Sequence, residues 1–439
     1  VDPAGFDGVS RPGARHACED EPSVPRPDRL SALDAAFLDL ETPRAPLHVG
    51  WTMRCTGRPP TLAALRCHVA ERLDAAPRLR RRVVEPALGL GDPHWADDAG
   101  FDVGRHVHAV DLPAPGGPEA FEALAALLLA APLDRARPLW RLTLVRGMEH
   151  GFAVVGQAHH ALVDGTAAVE LAALLLDPVG VTRLRRRHRA PTWQPGAAPA
   201  PAQALAHAGA RRARDAARLV HAEAAHPPGL MTAAGRLAAP AAATGLDAMT
   251  GPERRTAFGA VALAPLREAA REHGATVNDA LLAATAIALA GALRRRGEEP
   301  PAVRALVPAS TRTGDDAPGG NRISFLAIDL PLGAGEPSRV LTSVRDRTRA
   351  RKRAGDAGAG DLLLRAADTL PAPGRRAAAR AAARRARFSV VVSNVAGPEQ
   401  PLALLGRELT AAWPAVPLLD GHALSIGALS YAGTLHLGI

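Results

Sequence analysis

The stretch FAVVGQAHHALVDGTAAVELAALLL, Phe152 to Leu176, holds the decisive reading. Its first seven residues, Phe152 to Ala158, are largely apolar and β-branched, and RLTLV, Arg141 to Val145, precedes them across a short polar segment. The two runs are expected to pair as a β-hairpin. Thr166 to Leu176 has the length and apolar content of a short helix. Between strand and helix lies HHALVDG, His159 to Gly165, so a histidine pair stands at the rim of a sheet, where a scaffold holds side chains that substrates still reach.

Geometry and chemistry narrow what this heptapeptide does. An imidazole with an ordinary pKa of about 6.5 is largely neutral near neutral pH and accepts a proton from an alcohol as it attacks a carbonyl. His160 is the expected general base. Asp164 is expected to bond nearby backbone or pair with an arginine, and Gly165 to permit a close approach where the helix begins, with His159 completing the segment. The plain alternative is a pair of ordinary polar residues at a strand end. A metal site is a third reading, because His160 and Asp164 can face one cation and RHVHAV supplies His106 and His108; with neither HExxH nor a second carboxylate cluster, no metal is expected. No GxSxG is present either, which points away from a serine acyl-enzyme.

Working outward, the first ordered element is expected at Leu30, where Ser31 and Asp34 form a helix-capping pair ahead of Ala35 to Leu38. A mixed helix and strand domain then spans 30–178. Residues 179–255 read as a crossover, with RLRRRHR (Arg183 to Arg189), a Pro/Ala-rich tract and a helical pattern around Arg211 to Val220. A second α/β domain occupies 256–439. Its strand candidates are AFGAVAL (Ala257 to Leu263), NRISFLAIDL (Asn321 to Leu330), FSVVV (Phe388 to Val392) and a terminal hairpin over Leu424 to Leu437 that turns at Ala432-Gly433. Thr276 and Asp279 form a second capping pair before the apolar body Ala280 to Leu293.

Two domains also suit a chain of 439 residues with 47% hydrophobic and 22% charged side chains. The surplus of 53 Lys+Arg over 44 Asp+Glu favours anionic partners such as CoA phosphates or a membrane surface. Zinc-finger spacings, aromatic RNA signatures and basic zippers are absent, so nucleic acid is not expected. Cys18, Cys55 and Cys67 form no CxxC, which fits a reducing cytoplasm. Val1 to Arg29 lacks the apolar core of a signal peptide and reads as a disordered leader. Ala280 to Leu293 is shorter than the ~20 residues a bilayer requires, so no membrane span is expected.

Several separated blocks together resemble the bacterial wax ester synthase/acyl-CoA:diacylglycerol acyltransferase family. They are LSALDAAFLDLETPRAPLHVG (Leu30 to Gly50), PLDRARPLW (Pro132 to Trp140), the HHxxxDG segment, TVNDALLA (Thr276 to Ala283), GGNRIS (Gly319 to Ser324), SNVAGP (Ser393 to Pro398) and the closing LSIGALSYAGTLHLGI. HHxxxDG alone also suits condensation domains and chloramphenicol-acetyltransferase relatives. Members of the family run somewhat beyond the terminal hairpin, whereas this chain stops at Ile439.

The resemblance implies an α/β (α+β) fold of two chloramphenicol-acetyltransferase-like domains, with acyl-CoA and an alcohol meeting at His160 in a channel between them. It implies acyl transfer without a cofactor, acyl-CoA being a substrate. The acceptor is diacylglycerol first and a long-chain fatty alcohol second, at the inner membrane face or a lipid-droplet surface. A non-catalytic lipid-surface protein is the alternative of another class. Pro138, Leu139 and Trp140 are either core anchors of the hairpin or walls of the acyl channel. Asn278 and Asp279 either cap a helix or orient the substrates. Ser393 and Asn394 either form a turn or contact CoA. Arg376, Arg380 and Arg384 share one helical face, either simply solvated or touching anionic headgroups.

Overall fold

The computed structural model describes residues 28–86, 92–180, 193–196, 201–225, 243–247, 253–310, 323–333, 335–354, 363–385 and 387–439, with Gly235 and Gly251. The chain enters through a two-residue strand, β1 (Asp28–Arg29), and helix α1 (Ala32–Leu40). Ser31 Oγ accepts the Asp34 N–H at 3.0 Å while Asp34 Oδ2 accepts the Ser31 N–H at 3.1 Å. This reciprocal cap is worth about 1 kcal/mol. Asp28 and Arg29, although inside the expected leader, are structured: they pair with a later strand, and the Asp28 carboxylate binds Arg81 at 2.7 Å. Residues 1–27 of that leader lie outside the described residues.

The first half continues as β2 (His48–Cys55), α2 (Leu62–Ala70), β3 (Arg81–Val84), β4 (His94–Asp97), β5 (Val107–Asp111) and α3 (Pro118–Ala130). The expected hairpin follows as β6 (Trp140–Arg146) and β7 (Phe152–His159), then α4 (Gly165–Leu174) and a short β8 (Asp177–Pro178). All eight residues of β7 are buried, because β6 and β2 flank it and helices cover the sheet. That accounts for a near-continuous apolar run rather than an alternating one.

Past the crossover helix α5 (Pro201–Ala225) come β9 (Phe258–Ala262), α6 (Leu263–Glu272), α7 (Val277–Arg295), β10 (Ala302–Ser310), β11 (Ile323–Pro331), α8 (Pro337–Arg353) and α9 (Ala372–Arg385). The last strands are β12 (Val390–Ala396), β13 (Leu402–Leu404), β14 (Arg407–Ala415), β15 (Leu424–Tyr431) and β16 (Thr434–Gly438). At 19 residues α7 exceeds the expected apolar run and is long and apolar enough to cross a membrane. Its Leu282, Ala286, Leu289 and Leu293 are instead buried in the second core with Val303, Ile328 and Leu330 of the sheet, which makes it a core helix.

A seven-stranded sheet has the order β5-β6-β7-β2-β14-β13-β8, and a six-stranded sheet the order β11-β10-β12-β15-β16-β9. A small sheet, β1-β4-β3, completes the fold. One feature departs from the boundary expected at 256. Strands β13 and β14 leave the second half and join the first sheet, β14 running antiparallel to β2 from Leu409↔Cys55 to Ala415↔Gly50. Leu404, Leu409 and Ala412 consequently belong to the first core. The two halves share a sheet rather than merely touching, and β2 lies between the exchanged strand and the histidine-bearing β7.

Candidate active site

Backbone bonds at the end of β7 fix the histidine pair. The His159 N–H donates to Leu139 O at 2.9 Å, and the His160 N–H to Leu47 O at 2.9 Å. Successive residues of an extended segment point to opposite sides. His159 is accordingly buried, at 1% exposure, while His160 reaches the wall of a large cavity. The His160 ring lies flat on Phe37 of α1, with centroids 4.0 Å apart and planes 9° from parallel, so one face of the imidazole is fixed by apolar contact.

Beneath His160, burial above all keeps His159 neutral. Its Nδ1 accepts the Ala161 N–H at 3.0 Å, which places the ring proton on Nε2. Nε2 lies 3.7 Å from Glu41 Oε1. Burial, reinforced by the Arg135 charge, pushes the His159 pKa well below its ordinary value. Arg135 in turn donates from Nε to Glu41 Oε2 at 2.8 Å and from Nη2 to Leu38 O at 2.5 Å. Across the register, His48 pairs with His159, and its Nε2 donates to Leu129 O at 2.5 Å. Burial holds the His48 pKa down to about 4, although that hydrogen bond works to raise it. Gln157 packs beside it and donates to Ala131 O at 3.2 Å.

Asp164 is fully buried and caps α4: Oδ1 accepts the Ala167 N–H at 2.8 Å and the Thr166 hydroxyl at 2.7 Å. Gly165 packs tightly against the second half, since a Cβ there would stand 3.2 Å from Val395 Cγ2 of β12.

The cavity has a volume of about 720 Å³, within the range of small-molecule sites. Its walls come from α1, β2 and α4 on one side and from β10, β11, α9, β12 and the exchanged β14 on the other. They are overwhelmingly apolar, with Phe37, Trp51, Met53, Val169 and Leu409 among them; the polar exceptions include His160, Thr166, Ser393 and Asn394.

The remaining candidates divide by position. Ser393 and Asn394 lie inside β12, paired with Gly427 and Ala428 of β15, so they are strand residues and not the expected turn. Parallel pairing with β15 carries the strand on to Ala396, beyond the expected end at Val392. Pro138, Leu139 and Trp140 are buried but do not line the cavity. Leu139 anchors His159 through its carbonyl, and Trp140 donates to Leu79 O at 2.7 Å while stacking on His106. Asn278 and Asp279 sit at the start of α7, away from the cavity wall, where Asp279 Oδ2 accepts the Thr276 N–H at 2.9 Å. Of GGNRIS, Ser324 lines the cavity, and residues 319–322 lie outside the described residues, as does RLRRRHR. His106 bonds Trp140 O and His108 bonds Arg105 O, each away from His160. Among the described residues no cluster of three or more His, Cys, Asp or Glu side chains stands ready for a metal.

Glu41, Arg135 and His48 went unread as site residues in the sequence. Their signal was present, since all three lie in or beside the blocks Leu30 to Gly50 and Pro132 to Trp140, but only the fold shows that these blocks meet under His159.

Comparison with known proteins bears on the same blocks. Residues 30–281 match the model of the wax ester synthase/diacylglycerol acyltransferase catalytic domain, and residues 319–439 match that of the WS/DGAT C-terminal domain. A Mycobacterium tuberculosis protein named "Probable diacyglycerol O-acyltransferase tgs1" is 31% identical over 433 residues, covering 94% of this chain and 90% of its own length. Among solved structures, the wax ester synthase/diacylglycerol acyltransferase from Marinobacter aquaeolei superposes with a TM-score of 0.64 at 23% identity, over 93% of this chain and 92% of that one. The first condensation domain of the calcium-dependent antibiotic synthetase gives a TM-score of 0.58 at 17% identity, over 94% and 90%. Both likenesses extend to the two-domain fold.

Proposed function

Because the chain belongs to the wax ester synthase/diacylglycerol acyltransferase family, we propose that His160 is the general base of its acyl transfer from acyl-CoA to the hydroxyl of diacylglycerol. The acceptor hydroxyl binds beside the imidazole and loses its proton as its oxygen attacks the thioester carbonyl. The tetrahedral intermediate then expels CoA thiolate, which takes the proton back from His160. No covalent acyl-enzyme is required.

One observation carries this reading: His160 stands on the wall of an apolar cavity built from both halves, its ring braced on Phe37. Apolar walls suit a long acyl chain and an uncharged acceptor. His159, kept neutral by burial, places no second cation beside the base. Asp164 serves by capping α4, which sets the turn that aims His160.

Lipid acceptors reach such a cavity from a lipid surface. Helix α9 lines the cavity with Ala378, Ala379 and Ala382, while Arg380 and Arg384 are exposed on the same helix. Attraction of these arginines to anionic headgroups would dock the protein on the inner membrane face or a lipid droplet. Arg376 is engaged elsewhere, holding Asp39 at 2.8 Å and Glu85 at 3.0 Å and so tying α9 to the first half.

The deciding experiment supplies palmitoyl-CoA with dioleoylglycerol or with hexadecanol and follows free thiol and lipid product. Thiol release that depends on diacylglycerol, with triacylglycerol formed, is the expected outcome. Release that depends only on the alcohol assigns wax ester synthesis, and no acceptor-dependent release removes the enzymatic reading.

A further inference from the structure

A surplus of positive charge is buried where α9 begins. The Asp92 carboxylate, 6% exposed, receives Arg211 and Arg212 of α5, the latter at 2.8 Å, and Arg375 of α9 at 3.3 Å. Arg211 is shared with Asp215 at 2.5 Å; Asp215 also faces Arg29 at 4.0 Å, and Arg29 is held by Asp368 at 2.8 Å. Around this network four buried or half-buried guanidiniums meet three carboxylates, Asp92, Asp215 and Asp368. Among the described residues, one positive charge is left over.

Arg375 is where that surplus falls. Burial pushes the Asp92 carboxyl up, but hydrogen bonds from Arg211 and Arg212 outweigh it and hold the group ionised, so Asp92 is already committed to α5. The Arg375 contact is the longest of the three, its side chain is only 4% exposed, and among the described residues its Nε has no hydrogen-bond partner. Its side chain also lines the large cavity, on the wall that Leu364, Ala367, Ala378 and Ala379 continue. A buried guanidinium whose one carboxylate is shared with two others is only partly compensated, which is costly in an apolar setting. Its planar row of donors matches the paired oxygens of a carboxylate or phosphate.

We propose that Arg375 is an anion seat within the cavity, receiving the carboxylate or phosphate of an amphiphile whose chain lies along the apolar walls. The inference rests on the cavity being the acyl site; a fatty acid or phosphatidate seated there competes with substrate, whereas the phosphates of CoA are the substrate's own. Free fatty acid, phosphatidate and the phosphates of CoA share the required chemistry.

Calorimetric titration of the full chain tests the seat with matched pairs: palmitate against methyl palmitate, and dioctanoyl phosphatidate against dioctanoylglycerol, with desulfo-CoA as the chain-free arm. At least one anionic ligand is expected to bind more tightly than its neutral match or, for desulfo-CoA, measurably. Arg375→Gln should weaken that ligand ~10- to 100-fold while leaving the neutral ligands unchanged, and Arg375→Lys should restore part of the loss. The arm that responds identifies the source of the anion. Anionic and neutral ligands binding alike to the parent protein, or losing affinity equally in Arg375→Gln, overturns the seat, and the parent-protein comparison holds even if the variant misfolds. Turnover of palmitoyl-CoA and diacylglycerol, measured in parallel, separates failure of the seat from failure of the acyltransferase reading.

Discussion

Acid should loosen the floor of the site before it reaches the rest of the fold. His48 is buried at the end of β2 opposite His159, and its pKa is held at about 4 against an ordinary 6.5. In the unfolded chain the same ring takes up a proton once the pH falls below that ordinary value, whereas the folded protein excludes it. Since the unfolded state then binds more protons, stability falls as the pH falls, beginning near 6.5 and ending near 4. Lowering the pH from about 7.5 to about 5 should therefore cost about 2 kcal/mol through His48 alone. His159 is shifted in the same direction and adds to the loss. Urea unfolding at both pH values, on the parent protein and on His48→Gln, isolates the effect. The variant is expected to be weaker near neutrality, having lost the bond to Leu129 O, but its stability should change by about 2 kcal/mol less across the interval. Equal changes in the two proteins would refute the buried, neutral state of His48.

Other perturbations probe the neighbouring supports. Glu41→Gln removes the charge between Arg135 and His159; kcat should fall ~10-fold with little change in KM for acyl-CoA, and an unchanged kcat would exclude a positioning role. Asp164→Ala deletes two accepted hydrogen bonds, one of them the cap of α4, so urea unfolding should report a loss of about 1–3 kcal/mol. An unshifted midpoint would contradict the cap. Gly156→Ala drives a methyl group to 2.1 Å from Trp51 Cε2, and the displaced indole should cost about 1–3 kcal/mol and shift tryptophan emission; neither change would mean that the strands part to admit it.

What was legible in the sequence was local. The strand-to-helix passage through HHALVDG, the capping boxes at Ser31 and Thr276 and the hairpin at Ala432-Gly433 each depend on residues close together in the chain. Strand β10 is hard to read from the sequence, since its Pro308 argues against a central strand. It is tolerated because β12 pairs with β10 at Ala305 and Leu306, leaving Pro308 opposite only Phe325 of β11. Strand β14 was missed for a different reason: its partner β2 lies more than three hundred residues earlier, and Pro414 interrupts its pattern.

The site divides along the same line. The motif makes His160 legible as the candidate base, but the ring that braces it, Phe37, reads only as an apolar residue of a capped helix. The resemblance made Pro138, Leu139 and Trp140 candidate channel walls; in the fold they are buried off the cavity, Leu139 holding the His159 N–H by its carbonyl and Trp140 pairing with Ala158 of β7. Glu41 and Arg135 acquire a role only when two blocks almost a hundred residues apart converge. Contacts of that kind have no periodicity to betray them.

Steady-state turnover of palmitoyl-CoA with diacylglycerol by His160→Ala, alongside the parent protein, tests the central claim most directly. A loss of ~100-fold or more in kcat, with the circular dichroism spectrum and urea midpoint retained, is the predicted result. Near-normal turnover by the folded variant would contradict His160 as the general base.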